Sequence, residues 1–330
     1  MKPLLAFLLR RLVWSLTLVV GVGSLAFFVT RALPGDPARL IVGPRASAAD
    51  VERARVLHGL DRPLPIQFVR YWQRLVHHPS SAGEHRSCKP LGPMHLDLGT
   101  SHRHQKSVVA VLGARAPRTL ELALATTLVQ LVVGLGLATL AARRRGSVID
   151  QVATASSLLA VSTPTFVLGV LLQYVLAYRL GWLPLDGGGS DRRALVLPAL
   201  TLGLYGAAFV VRLAREELGA ALESDYASAA AARGASPLRV LFVHGWRNAL
   251  GAMLPLLLLE LGALVGGAVV TEKLFRWPGL GSLTVDAVLY RDAPIVFGVV
   301  MVSAAGIAAA SFALDVLRVA LDPRLRRRAT

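Results

Sequence analysis

Long apolar runs alternate with shorter polar segments along the whole chain. Six runs stand out: Leu12–Thr30, Thr119–Ala142, Gln151–Tyr178, Ala194–Val211, Asn248–Thr271 and Ala293–Leu314. A helix needs about 20 apolar residues to cross roughly 30 Å of hydrocarbon. Each run is read as one such helix. Gln151–Tyr178 is long enough to tilt, and Ala194–Val211 is short but uncharged. Only two runs hold a carboxylate, Glu121 near the start of the second and Glu260 inside the fifth. The pattern predicts an all-α membrane protein with six transmembrane helices. Runs of this length leave no room for a separate soluble domain, so residues 1–330 read as a single domain.

The first run is too long for a cleavable signal peptide, and Leu33-Pro34-Gly35-Asp36-Pro37 stands where a small-residue cleavage site would be. It is expected to remain as an anchor, with the prolines turning the chain at the membrane surface. The segment 31–118 has soluble-protein composition. A helix is expected from Ser47-Ala48-Ala49-Asp50 to about His58. A second, amphipathic one is expected over Pro65–His77, with Phe68, Tyr71, Trp72 and Leu75 on one face. Pro79–Pro93 is rich in Ser, Gly and Pro and reads as loop. In the segment 212–247, an Ala-rich helix should stop at Gly234, which suits the left-handed position after a helix end. Pro237 then lies early in a further helical segment that re-enters the membrane at Asn248.

Charge sets the orientation. Cations in short loops favour the cytoplasmic side. The N-terminus, 143–150, 212–247 and the C-terminal tail together carry 16 Lys and Arg, against 6 in 179–193 and 272–292. Both termini are therefore expected in the cytoplasm, and 31–118 on the outer side. The net charge of +16 would suit nucleic acid, but the cations lie between apolar runs and in an Arg-rich tail. With 54% hydrophobic and 17% charged residues, a membrane protein is the better reading, and no nucleic acid is expected.

Candidate chemistry is sparse. There is no GxxxxGK[ST] loop, no HExxH, no GxSxG and no GxGxxG after a strand. The single cysteine, Cys88, excludes an intrachain disulfide. His77, His78, His85, His95, His102 and His104 cluster in the outer segment without regular ligand spacing, so no metal site is expected there. Glu260 is the costly residue, because a charge at mid-helix costs about 2.5–3.5 kcal/mol on insertion scales. At helical spacing Glu260, Ala263, Gly267 and Thr271 share a face, as do Ser162, Thr165, Gly169 and Gln173 beside Pro164. Both faces suit either a water-lined pathway or helix–helix contact.

These blocks occur in an order that resembles the inner-membrane permease subunits of binding-protein-dependent ABC transporters. The oligopeptide/dipeptide/nickel group is the nearest, and the first permease of the pair within it. The resemblance runs from Leu9-Arg10-Arg11 and Pro34-Gly35-Asp36-Pro37 through Gly59-Leu60-Asp61-Arg62-Pro63 and Asp97-Leu98-Gly99-Thr100-Ser101. It continues in Pro117–Leu122, Ser162-Thr163-Pro164-Thr165-Phe166 and Gly181-Trp182-Leu183-Pro184. Glu223–Gly234 with His244–Leu250 is similar to the family's cytoplasmic EAA loop, and Thr271–Gly281 to its outer loop before the last span. Arg291-Asp292 and Asp322-Pro323-Arg324 complete it. Departures are Gly245, Glu260, Lys273 and an insertion over His78–His95.

The resemblance implies a subunit of the bacterial inner membrane that does no covalent chemistry. A second homologous permease would complete the pathway. Two ATPase subunits would bind ATP and magnesium, so this chain itself needs no cofactor. An extracytoplasmic binding protein would deliver a di- or oligopeptide. The implied contacts to the ATPase are Glu223, Asp225, Tyr226, Ala229, Ala232, Gly234, His244 and Asn248. The pathway residues expected are Ser162, Thr165, Gln173 and Glu260, and the outer-loop residues Glu272, Pro278, Gly279 and Gly281. Two alternatives stay open: uptake of nickel or another small solute within the same family, and a proton-coupled secondary transporter with Glu260 as its proton site.

Overall fold

The computed structural model describes residues 2–32, 36–43, 45–77, 89–91, 94–188, 191–265 and 267–321. The turn at Leu33-Pro34-Gly35, most of the expected loop 79–93 with Glu84, His85 and Cys88, residue His78, and the tail from Asp322 lie outside them. Five long apolar helices carry the fold. They are α1 (Lys2–Ala32), α5 (Val108–Arg143), α8 (Val196–Leu222), α11 (Trp246–Val265) and α14 (Ala293–Leu321). By length and composition each can cross a membrane, and a bent pair, α6 (Val148–Ser162) with α7 (Thr165–Leu172), supplies a sixth if it counts as one span.

That pair departs from the single tilted helix expected over Gln151–Tyr178. The two limbs meet at 105°. Pro164 lacks an N–H and its ring clashes with the carbonyl four residues back, so α6 cannot continue through it. Thr163, the residue before it, is extended at φ −89° and ψ 125°. Ser162 and Thr165 therefore belong to different helices. Beyond α7 the chain makes a π-helical turn over Gln173–Arg179.

Three other boundaries move. α5 starts at Val108, because Pro117 sits inside the helix instead of opening it. α8 follows a 3-10 turn over Arg192–Leu195 and runs on to Leu222, since charged residues continue a helix whose apolar run has ended. The fifth span is assembled from α10 (Pro237–Arg239), a π-helical turn over Val240–Gly245 and α11, and stops at Val265. Gly267 has φ +100°, which interrupts the helix, and α12 (Val269–Leu274) begins beyond it. Thr271 and Gly267 therefore do not continue the face of Glu260.

α8 is the centre of the bundle. Of its most apolar window 61% is buried, against 11% for α1, which exposes Leu12, Val13, Trp14, Leu16 and Leu25. α5 and α8 approach closely because glycine lies at their contacts. A Cβ on Gly203 would stand 2.5 Å from Val129, and one on Gly134 2.6 Å from Val210. Small residues allow such approach where lipid removes the hydrophobic drive between helices.

One end of the bundle carries the smaller elements: α2 (Pro37–Val42), α3 (Ala48–Leu57), α4 (Leu64–Leu75), α13 (Leu280–Leu289) and three short strands. α3 begins as expected, with a reciprocal capping box between Ser47 and Asp50. These bonds and Arg53 hold the Asp50 carboxyl below its ordinary value. α4 packs Phe68, Tyr71 and Leu75 against Phe27 of α1 and Phe297 of α14. The strands β1 (Val76–His77), β2 (Lys89–Leu91) and β3 (Met94–Leu96) form an antiparallel sheet in the order β1-β3-β2. The fold is therefore not wholly α. Strands of two or three residues are too short to show alternation.

At the same end a buried polar knot joins α5, α12 and α13. The Glu272 carboxylate accepts from the Thr119 hydroxyl at 3.1 Å and from the Ser282 N–H at 2.8 Å. Thr119 in turn accepts the Leu280 N–H at 2.7 Å. A Cβ on Gly279 would lie 2.5 Å from the carboxylate, so only glycine fits there. Burial pushes the Glu272 carboxyl up, against the pull of these donors. Asp292, also buried, accepts from the Ser101 hydroxyl and the His102 and Arg103 N–H groups, which fastens the segment leading into α5 to the α13–α14 turn.

Gly203→Val should lower the thermal midpoint of the detergent-purified protein, because overpacking costs about 1–3 kcal/mol; an unchanged midpoint would mean the seam opens freely. Glu272→Ala orphans two buried donors and should cost about 1–3 kcal/mol. Combined with Thr119→Val, its effect should be clearly less than additive. A raised carboxyl binds its proton more tightly when folded, so the Glu272 contribution is full below its unfolded pKa and declines as pH rises through the folded value. Glu272→Gln should flatten that slope in midpoints measured against pH.

Candidate functional site

At the opposite end the chain between α8 and α10 folds into α9 (Asp225–Ala232). Ser224 precedes it in extended geometry, but its hydroxyl turns back to the Ala221 carbonyl at 2.6 Å. Asp225 sits in the first turn, where a negative charge suits the helix dipole. The helix stops as expected at Gly234, with φ +84°. Gly234 N–H donates to the Ala231 carbonyl at 2.9 Å and Ala235 N–H to the Ala230 carbonyl at 3.1 Å. This paired arrangement is a Schellman motif, and it needs the left-handed residue that glycine supplies.

One side chain, Ala227, is fully buried and pegs α9 to the bundle. Asp225, Tyr226, Ser228, Ala231 and Ala232 are exposed, and Ala229 is half-buried. Leu238, Phe242 and Val243 add exposed apolar surface on the following segment. His244 is half-buried, and its carbonyl accepts from the Asn248 amide at 2.9 Å. Glu223 is exposed and pairs with Arg145 at 2.6 Å. Gly245 is buried, and a Cβ there would lie 2.8 Å from Leu218. The result is a small-residue platform with polar edges. It holds no arrangement for nucleophilic or acid–base chemistry, but it suits the close approach of another surface.

The four expected pathway residues do not converge. Ser162 is exposed and Thr165 half-buried on either side of the Pro164 break. Gln173 donates to the Leu185 carbonyl at 2.9 Å. Gly169, on the same α7, packs its α-carbon against Leu274, Phe275 and Thr201. Glu260 lies elsewhere, accepting from the Gln130 amide of α5 at 2.8 Å. Gly206 of α8 makes room for this pair, since a Cβ there would fall 1.9 Å from the Gln130 nitrogen.

Of the expected outer-loop residues, Glu272 and Gly279 form the knot above, Gly281 packs against Val269, and Pro278 is half-buried beside them. Lys273 pairs with Asp286 at 2.6 Å. Among the described residues no three His, Cys, Asp or Glu side chains stand close enough to hold a metal. Several residues escaped the sequence reading. Gln130 is uncharged and did not interrupt its apolar run. Thr119, Arg145, Asp150 and Arg215 lie at or beyond the edges of apolar runs and read as boundary residues, although Thr119 and Arg215 stand inside α5 and α8. Their only sequence signal is polarity at the edge of an apolar run.

Comparison with known proteins resolves the class. Residues 134–327 match the family described as binding-protein-dependent transport system inner membrane component, and residues 4–123 match the N-terminal part of such membrane components. The oligopeptide transport system permease protein AppB of Bacillus subtilis is 33% identical over 97% of this chain and 99% of its own. The glutathione transport system permease protein GsiC of Salmonella choleraesuis is 34% identical over 98% of this chain and 99% of its own. Among solved structures, an inward-facing MetNI methionine ABC transporter chain superposes with a TM-score of 0.52 at 18% identity. That match covers 64% of this chain and 97% of the other, and it shows a shared fold. The full-length sequence matches, the common fold and the row of apolar helices meet in one conclusion: the chain belongs to the inner-membrane components of binding-protein-dependent transport systems, multi-pass proteins of the inner membrane.

Proposed function

We propose that this chain is one permease subunit of an ATP-driven importer and forms half of a pathway for di- or oligopeptides. The observation that carries the reading is α9, a helix pegged by one alanine and presenting small side chains beside exposed apolar residues. The peptide assignment draws on relatives whose names specify oligopeptide and glutathione transport. The whole of 1–330 acts as one permease domain with six spans, the bent α6–α7 pair being one. Both termini and the coupling loop 212–247 face the cytoplasm, and 31–118 faces outward, in keeping with the 16-to-6 cation asymmetry.

In this reading two ATPase subunits bind ATP and magnesium and dock on α9 through Asp225, Tyr226, Ala229, Ala232 and Gly234, with Glu223, His244 and Asn248 at the edges. A homologous permease completes the pathway, and a binding protein delivers peptide to the outer end. This chain binds no cofactor and performs no covalent step. Ser162 and Thr165 border the pathway at the Pro164 break, and Gln173 borders it beyond α7. Glu260 borders it from α11, held there by Gln130. That hydrogen bond weakens the secondary-transporter alternative, because it gives Glu260 a helix-contact partner. Lipid covers the exposed apolar faces of α1 and its neighbours.

The test uses the reconstituted complex. Gly234→Val strains a position at φ +84°, and Asp225→Arg reverses a charge in the first turn of α9. Both should lower ATPase co-purification or peptide uptake at least about tenfold, equivalent to about 1.4 kcal/mol. Normal assembly and normal uptake in both variants would exclude α9 as the docking element.

A further inference from the structure

The α5–α6 turn grips the end of α8 at two points. The inner grip is a fork. Asp150, in the first turn of α6 with its side chain 5% exposed, accepts from both Nε and Nη2 of Arg215, and from the Gly146 N–H at 2.9 Å. The outer grip is a single ion pair, beside which Arg145 Nη2 also reaches the Arg215 carbonyl at 3.5 Å. Arg145 Nη1 donates to Glu223 at 2.6 Å, with the two side chains 37% and 67% exposed. Between the grips the Arg145 guanidinium lies across the α-carbon of Gly219, where an added Cβ would stand 1.6 Å from its Nη2.

The two grips differ in kind. A forked, largely buried pair fixes geometry. A single exposed pair breaks and reforms easily. The position of the outer one matters, because Glu223 is joined through Ser224 to the first residue of α9. Arg145 is three residues before α6, whose far end meets the break at Pro164. A displacement of α9 thus has a route into the bent span across the last turns of α8.

We propose that Arg145 is a positioning residue that carries movement of α9 through Glu223 to α6, so that nucleotide-driven motion reaches the Pro164 break. This rests on the reading of α9 as the ATPase-docking element. Gly219 belongs to the device because it leaves room for the guanidinium. Asp150 and Arg215 form its fixed pivot.

The experiment uses the chain co-expressed with its second permease and ATPases, carrying Cys88→Ser and Thr165→Cys. The readout is the rate of labelling by a water-soluble maleimide, with and without Mg-ATP and vanadate. Trapping should change the rate in the parent. Arg145→Glu and Glu223→Arg should each reduce that change at least threefold, and the double exchange should restore it. Gly219→Ala keeps both charges but displaces the guanidinium, and should reduce the change as well. Arg145→Glu and Gly219→Ala, which leave every docking residue in place, should retain their ATPases.

A full rate change in Arg145→Glu and Gly219→Ala would overturn the proposal, as would a parent that shows no change on trapping. Loss of ATPases from Arg145→Glu, unrepaired by the double exchange, would also overturn it by making Arg145 a docking residue. The docking reading is judged separately by whether Asp225→Arg retains its ATPases.

Discussion

The close approach of α5 and α8 governs the rest of the structure. Two helices in hydrocarbon gain little by hiding apolar surface from lipid, so their association depends on contact distance. Glycine supplies that distance on both sides of the seam, Gly134 on α5 and Gly203 and Gly206 on α8. At Gly206 the Gln130 side chain passes through the space a Cβ would fill and meets Glu260 of α11. The seam therefore recruits a third helix through a polar bond from the buried Gln130 to the half-buried Glu260. The same device recurs where Gly219 admits Arg145.

Much of this was legible in the sequence. Apolar runs located every long helix, because a span must be both long and continuous. Ser47 with Asp50 gave the start of α3, and the aromatic spacing from Phe68 to Leu75 gave the buried face of α4. Gly234 marked the end of α9, since a short alanine helix followed by arginine and glycine has few other ways to finish.

The rest depended on tertiary geometry. Pro164 announced a kink, yet a proline can bend a helix slightly or break it, and only packing of α7 against α8 and α12 gives 105°. Pro117 shows the converse, a proline inside an unbroken α5. The face through Glu260 and Thr271 assumed helical periodicity across Gly267, where the helix is interrupted instead. Gln130 was invisible because its partner lies 130 residues away on another helix. The strands were too short to register against the polar segment around them.

The two ends of the bundle differ in how they are held. At the α12–α13 end, Glu272 and Asp292 each gather several donors from distant parts of the chain, and both are buried. Moving one element there would orphan hydrogen bonds in an apolar surrounding, at a cost of about 1–3 kcal/mol for each buried group. α9 itself is held by the buried Ala227, the half-buried Ala229 and Ala230 and its terminal turn, with an exposed ion pair at Glu223 just before it. An exposed pair is worth about 0–1 kcal/mol, so displacing α9 costs far less than displacing α12. Between them, Pro164 interrupts the backbone hydrogen bonding that would otherwise make α6 and α7 one rod. The α9 end is thus the more lightly held of the two, and at Pro164 α6 and α7 share no continuous backbone ladder.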